Sequence, residues 1–349
     1  MAFVKKHINL LIALAFSAWG LYLRYVTLRN RAFEGDDLYQ YNCMAGDFKP
    51  FWLFQKFGDF SSFPGEYVLN YFPVHWFGPN KWGLAIPHIL VTIAGFFLLY
   101  ALCRRYVQSW VGYAVAFGIF ALNTNLVFHS FEFRPYAVLP VLALSSLWLA
   151  HRYADQGGYK SRAEAFWSGL LIVVIVNYHI YGIALFALPL LYAAVVHFLR
   201  LRKLPPVLPI LPVSIVALGI WAYYASYNHF GAVHNSFQPA METFLYIPNP
   251  MEKPVGFLKA VFANLIGFRA GYILLVSLII APLTAAGKRA EQLLFFGILV
   301  VLPILLILYA DIKSQYWFIQ RQFIWVMPFF AILLGSQWDT ICRFKPPRS

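Results

Sequence analysis

Apolar residues run along the chain in uninterrupted stretches long enough for a helix to cross the roughly 30 Å hydrocarbon core of a bilayer, and they are separated by short polar or charged breaks. There is no sustained period-two alternation, so the pattern predicts helices rather than a barrel. Spans are expected near Ile8 to Tyr25, Leu84 to Leu102, Trp110 to Phe128, Tyr136 to Ala150 and Ala165 to Tyr178. Five more are expected near Ile183 to Leu199, Val207 to Tyr224, Gly271 to Ala286, Leu293 to Tyr309 and Phe323 to Gln337. The stretch from Ala165 to Arg200 would be about 50 Å long as one helix, too long for a single crossing. It must turn back, and the polar break Asn177-Tyr178-His179 with Gly182 is the place for it. The expected fold is an all-α polytopic membrane protein of about ten transmembrane helices, a single domain over residues 1–349.

Composition agrees: 61% of the residues are hydrophobic, 19% aromatic and only 12% charged, which is far from soluble usage. The net charge of +13 does not point to nucleic acid, because its placement follows topology. Loops on the side of both termini carry Lys5, Lys6, Arg104, Arg105, Arg152, Lys160, Arg162, Arg200, Arg202, Lys203, Lys288, Arg289, Arg343, Lys345 and Arg348, against the acids Asp155, Glu164, Glu291 and Asp339. Under the positive-inside rule that side is cytoplasmic. The remaining acids face outward. The expected location is the plasma (inner) membrane, with both termini cytoplasmic. Lys5 and Lys6 before an apolar stretch mimic a secretory signal, but no small-residue cleavage site follows, so the stretch reads as the first span. Three cysteines build no disulfide framework.

Two outer segments, about 29–82 and 227–269, are too long to be mere connectors, and loops of that length carry function or fold onto the surface. In the first, Asp36 to Asp47 suits a short helix, and Phe51 to Phe57 has the aromatic and basic makeup of an interfacial segment. The acids Glu34, Asp36 and Asp37 lie near the outer surface, either as a hydrated turn around Gly35 or as half of a reactive site. A second constellation, His129-Ser130-Phe131-Glu132-Phe133-Arg134-Pro135-Tyr136, sits at the outer junction of the third and fourth spans. Glu132 and Arg134 there either pair with each other or serve function. Arg321, before the last span, and Arg269 are either interfacial anchors or ligands for a lipid phosphate, which guanidinium binds through paired planar hydrogen bonds. His179 lies in the tight turn between the fifth and sixth spans. No zinc-binding spacing, phosphate-cradling glycine loop or nucleophile elbow occurs, while a divalent cation held by Asp36, Asp37 and Glu132 stays open.

Three of these segments, in order, resemble the GT-C superfamily of polyprenyl-phosphate-sugar-dependent glycosyltransferases, in particular the protein O-mannosyltransferase and lipid A aminoarabinose transferase branch. They are the acidic pair in Asp36-Asp37-Leu38-Tyr39, the pattern of Ser130, Glu132, Arg134 and Tyr136, and Arg321-Gln322-Phe323 leading a final span that contains Pro328. The likeness runs from about Phe33 to Leu334. Two departures stand out: Asp37 replaces the usual Glu, and Phe63-Pro64-Gly65-Glu66-Tyr67 stands where a His-Pro-Pro segment is common.

The resemblance implies transfer of a sugar from a polyprenyl-phosphate donor to an acceptor hydroxyl on a glycan, glycolipid or protein, outside the membrane and with inversion. It implies Asp36 as base, with Asp37 and Glu132 orienting it or holding hydroxyl groups. Arg321, with Arg269 or Arg134, would take the donor phosphate, and Glu34, Tyr39, Tyr136 and His179 are expected around the substrate. The chain ends soon after its last span, so acceptor recognition is expected from loops and cavities. The rival reading is a lipid or lipid-linked-sugar transporter. Such proteins place ionisable groups near the bilayer midplane, and no span is expected to hold one deep.

Overall fold

The computed structural model describes residues 2–33, 35–46, 64–156, 160–203, 210–227, 252–256, 259, 288–314 and 320–343. Among them there is helix and turn but no strand. In chain order the helices are α1 (Ala2–Asn30), α2 (Asp36–Gly46), α3 (Pro64–Phe77), α4 (Lys81–Tyr106), α5 (Trp110–Leu122) and α6 (Thr124–Phe128). There follow α7 (Leu139–Gln156), α8 (Arg162–Asn177), α9 (Gly182–Leu201), α10 (Leu211–Tyr227), α11 (Lys288–Ser314) and α12 (Met327–Arg343). Short 3-10 turns at His129–Phe131, Pro135–Ala137 and Gln320–Val326 join some of them. The expected spans that fall on described residues overlap helices, although Trp110 to Phe128 is interrupted at Asn123 and residues 207–209 lie outside the described residues. Gly271 to Ala286 and the interfacial stretch Phe51 to Phe57 lie outside the described residues.

Among the described residues two helices are long and apolar enough to cross a membrane on their own, His7–Asn30 and Lys81–Tyr106. A third is α5 with α6, if that bent pair is one broken span. The bend, 47°, falls inside the expected third span, Trp110 to Phe128. Its cause is Asn123, whose side chain accepts from the amides of Asn125 (3.0 Å) and Leu126 (3.1 Å) and so starts a new helix in mid-span. Large apolar side chains stand exposed along α1, among them Leu14, Trp19 and Tyr22, a surface that suits lipid.

The chain divides into two compact units, each assembled from separate stretches. Unit 1 comprises Met1–Asn30, Ile93–Ser130 and Ala240–Ser349. Within it α5 packs against both α1 and α12. The approach of α5 to α12 is close because Gly112 and Gly335 face each other. A Cβ on Gly112 would stand 2.6 Å from the Gly335 carbonyl oxygen, so any side chain forces two backbones apart. Asp339, buried in α12, accepts the Ser109 amide at 2.7 Å, placing a carboxylate at the α5 N-terminus, where exposed amides favour one. Gly112→Val is therefore expected to lower the thermal unfolding temperature of the detergent-purified protein, by the equivalent of ~1–3 kcal/mol. An unchanged Tm would remove this contact from the stability of the unit.

Unit 1 also holds an arginine that the sequence reading did not single out. Arg24, near the end of the first span, is 3% exposed. It donates to the carbonyls of Gly20 (3.0 Å), Ala121 (3.0 Å) and Phe120 (3.2 Å) and lies over the Phe96 ring. Ending α5 at Asn123 leaves its last carbonyls short of intrahelical donors. Arg24 supplies those donors and acts as a cap delivered from another helix.

Unit 2 comprises Arg31–Thr92 and Phe131–Pro239. Here α7 packs on α9 and α8 packs on α9 and α10. The turn expected at Asn177 to His179 separates α8 from α9 as read from the sequence. Asn177 also ties α8 to α10 by donating to the Ala217 carbonyl at 3.1 Å. A small core of Met44, Tyr67, Val74, Leu84 and Phe133 joins α2, α3, the start of α4 and the segment before α7.

Candidate functional site

Gly35, at φ +57°, takes the left-handed turn that directs the chain into α2. Asp36 opens that helix; its side chain and that of Tyr39 lie outside the described residues, as does Glu34 altogether. From Asp37 onward the helix is two-faced. Asp37, Gln40 and Met44 are buried, at positions i, i+3 and i+7 of one face, while Leu38 is exposed. The acidic pair is thus not simply a hydrated turn, because its second member is 2% exposed.

A buried carboxylate needs partners, and Asp37 has them from two directions. Arg31 reaches its Oδ2 through Nη2 at 2.7 Å and Nε at 3.0 Å. Its Oδ1 accepts the backbone amide of Phe133 at 2.6 Å. Burial pushes the Asp37 carboxyl above the usual aspartate range, opposed by the Arg31 charge and the Phe133 amide and reinforced by Glu132. Glu132, also buried, stands 3.9 Å from Arg31 Nη2. Lys81 fixes the arginine's backbone by donating to the Arg31 carbonyl at 2.9 Å.

A second strand of the same network runs through Gln40. Its Nε2 donates to Glu66 Oε1 at 3.0 Å, and its Oε1 accepts from Arg134 Nη1 at 3.1 Å. Glu132 and Arg134 therefore do not merely neutralise each other; each reaches across to the α2 region. Pro135 at the first position of a 3-10 turn, with Arg134 extended before it, holds the segment in this register. The first two sequence motifs, nearly a hundred residues apart, meet in unit 2 as carboxylates interleaved with guanidinium groups.

The other expected site residues fall differently. Tyr136 is buried in the 3-10 turn. His179 is buried, and its Nδ1 takes the Tyr181 amide at 3.3 Å, so it shapes the turn between α8 and α9. Arg321 belongs to the 3-10 segment Gln320–Val326 of unit 1, with its side chain outside the described residues. Arg269 lies outside the described residues. Among the described residues no group of three or more His, Cys, Asp or Glu is placed to hold a metal ion.

Sequence reasoning missed Arg31, Gln40 and Glu66 as members of the network. For Gln40 a signal was available: the i, i+3, i+7 stripe of Asp37, Gln40 and Met44 marks one face of α2 from residue spacing alone. Glu66 stood in the segment that departs from the family pattern, and nothing local marked it as buried.

No protein-family model and no curated protein sequence matches the chain. Its fold is similar to that in the crystal structure of ArnT from Cupriavidus metallidurans in the apo state, with a TM-score of 0.59 and 18% sequence identity over 95% of this chain. The match spans 60% of the ArnT chain, so ArnT has a substantial part without counterpart here. The likeness is one of fold: the chain shares with ArnT an all-helical architecture.

Proposed function

We propose that the protein is a membrane glycosyltransferase that moves a sugar from a polyprenyl-phosphate donor to an acceptor hydroxyl on the extracytoplasmic side of the plasma membrane. The observation that carries this reading is the buried network of Asp37, Arg31, Glu132, Gln40, Glu66 and Arg134, standing directly behind Asp36 at the head of α2. Fixing so many charges costs desolvation, and these lie around the first two of the segments that carry the family resemblance.

In this mechanism the Asp36 carboxylate takes the proton of the acceptor hydroxyl as its oxygen attacks the anomeric carbon. The bond from that carbon to the phosphate oxygen breaks, and polyprenyl phosphate leaves with the electron pair. Asp37 and Glu132 set the position of the helix that carries the base. Arg321, Arg269 and Arg134 take the phosphate charge by resemblance to the family, and Glu34 and Tyr39 stand next to the base in the chain. An aspartate with an ordinary pKa of about 4 is ionised at neutral pH and accepts a proton without special tuning.

The test is turnover of polyprenyl-phosphate sugars by the purified protein, with products followed by mass spectrometry. A complete lack of sugar release across pentose, hexose and amino-sugar donors, in the presence of membrane glycolipid acceptors, would sink the reading. Arg321→Ala is expected to raise the donor KM by about 10- to 100-fold, the worth of a charged hydrogen bond, in initial rates against donor concentration. Unaltered donor dependence would reassign Arg321 as an interfacial anchor.

A further inference from the structure

Glu66 belongs to the ionic network of unit 2, yet the mechanism gives it no task. It sits in the first turn of α3, where exposed helix amides favour a carboxylate, and it is 1% exposed. The turn is fixed from behind. A Cβ on Gly65 would stand 2.9 Å from the Tyr178 Cα and 3.1 Å from the Asn177 carbonyl oxygen, so α3 begins in close contact with the end of α8. In front of Glu66 stands Gln40, 0% exposed on the inner face of α2, and beyond Gln40 stands Arg134, which is only half-buried. Glu66 Oε1 accepts from Gln40 Nε2 at 3.0 Å, and Gln40 Oε1 accepts from Arg134 Nη1 at 3.1 Å. Side chains from three separate segments thus form a row that leads from the closed interior to a guanidinium nearer the surface.

The direction of this row follows from its chemistry. An ionised carboxylate offers only acceptors and a guanidinium only donors, whereas an amide has one end of each kind. Between Glu66 and Arg134 the Gln40 amide therefore has one orientation that bonds both, its nitrogen towards the acid and its oxygen towards the arginine. Turned over, it would set oxygen against oxygen and donor against donor. Glu66 selects the productive orientation, and the neutral amide then holds Arg134 without itself competing with an anion for the guanidinium charge. We propose that Glu66 is a positioning residue that acts through Gln40 on Arg134 and aims its guanidinium at the donor phosphate. This rests on the glycosyltransferase reading and adds to it a carboxylate that lies outside the three segments of the family resemblance.

The experiment measures binding of bare decaprenyl phosphate to the full chain in lipid nanodiscs, with Tm recorded for each variant. Arg134→Ala is expected to weaken binding by about 10- to 100-fold, as loss of a charge-assisted hydrogen bond does. Glu66→Gln, whose own amide lets Gln40 turn over, is expected to weaken it about tenfold with Tm close to wild type. In the Arg134→Ala background the same change is expected to matter by less than about twofold, because its effect passes through Arg134. Glu66→Asp, shorter but still an acceptor alone, is expected to bind the carrier more tightly than Glu66→Gln, whereas packing alone would give the reverse order. Should Glu66→Gln fail to fold, Gln40→Leu cuts the row at its middle and is expected to show the same dependence on Arg134. Binding weakened equally in both backgrounds, or unchanged in Glu66→Gln or in Arg134→Ala, overturns the positioning role while leaving the glycosyltransferase reading intact. A wild type that does not bind the carrier sinks the glycosyltransferase reading, and the positioning role falls with it.

Discussion

Asp37→Asn is expected to destabilise the protein by ~3–5 kcal/mol and to cut any transfer activity along with it. The substitution preserves shape, and the new amide oxygen can still take the Phe133 amide. Its nitrogen, however, would face the Nε and Nη2 of Arg31, donors against a donor. Glu132, 3.9 Å from Arg31 Nη2, is a poor replacement for the direct pair. Because the Arg31 side chain is 20% exposed, water recovers part of the loss, which favours the lower end of the range. Removing both partners, as in Arg31→Met with Asp37→Leu, is expected to cost less than the sum of the two single changes, since the pair then loses its charges together, although Glu132 loses the guanidinium 3.9 Å away. Unfolding curves of the purified variants check the order.

The same carboxylate has a pH signature. Burial is the largest influence on Asp37 and raises its pKa in the folded protein. The folded chain therefore holds a proton that the unfolded chain releases near pH ~3.9. The stability from that proton is complete below the unfolded value and is lost as pH rises through the raised folded value. Wild type minus Asp37→Asn should show this decline in Tm across that window. A difference that instead grows with pH would mean that Arg31 outweighs burial and that the pair stabilises in its ionised form.

How much of this was legible in the sequence depends on whether the cause was local. Helix α2 beginning at Asp36 and the turn between α8 and α9 were readable, because capping, periodicity and the length of a bilayer crossing act over a few residues. The family motifs marked Asp37, Glu132 and Arg134 as belonging together. What they did not mark was who touches whom. The sequence left open whether Glu132 and Arg134 pair with each other, two residues apart; Arg134 bonds Gln40 and Glu132 lies near Arg31, contacts set by the packing of α2 and α3 against the start of α4. Arg24 was hidden for the same reason. Its role depends on carbonyls freed by a helix break at Asn123, about a hundred residues away, and a hydropathy reading has no means to couple the two.

Asp36→Asn should reduce the turnover number by about 10²- to 10⁴-fold, the usual contribution of a positioned base, while leaving Tm and donor affinity close to wild type. Asparagine keeps the size of the side chain, so what the substitution removes is the capacity to accept a proton. The comparison with Asp37 gives the test its force. If Asp36 is the base and Asp37 holds the helix that carries it, Asp36→Asn lowers kcat alone, and Asp37→Asn lowers kcat and stability together. A chain in which Asp36→Asn turns over at the wild-type rate removes Asp36 from the chemistry and leaves Glu132 as the remaining motif carboxylate for the role. That outcome would also change the meaning of the ion pair between Arg31 and Asp37, because a network built to position Asp36 would then be positioning nothing that reacts.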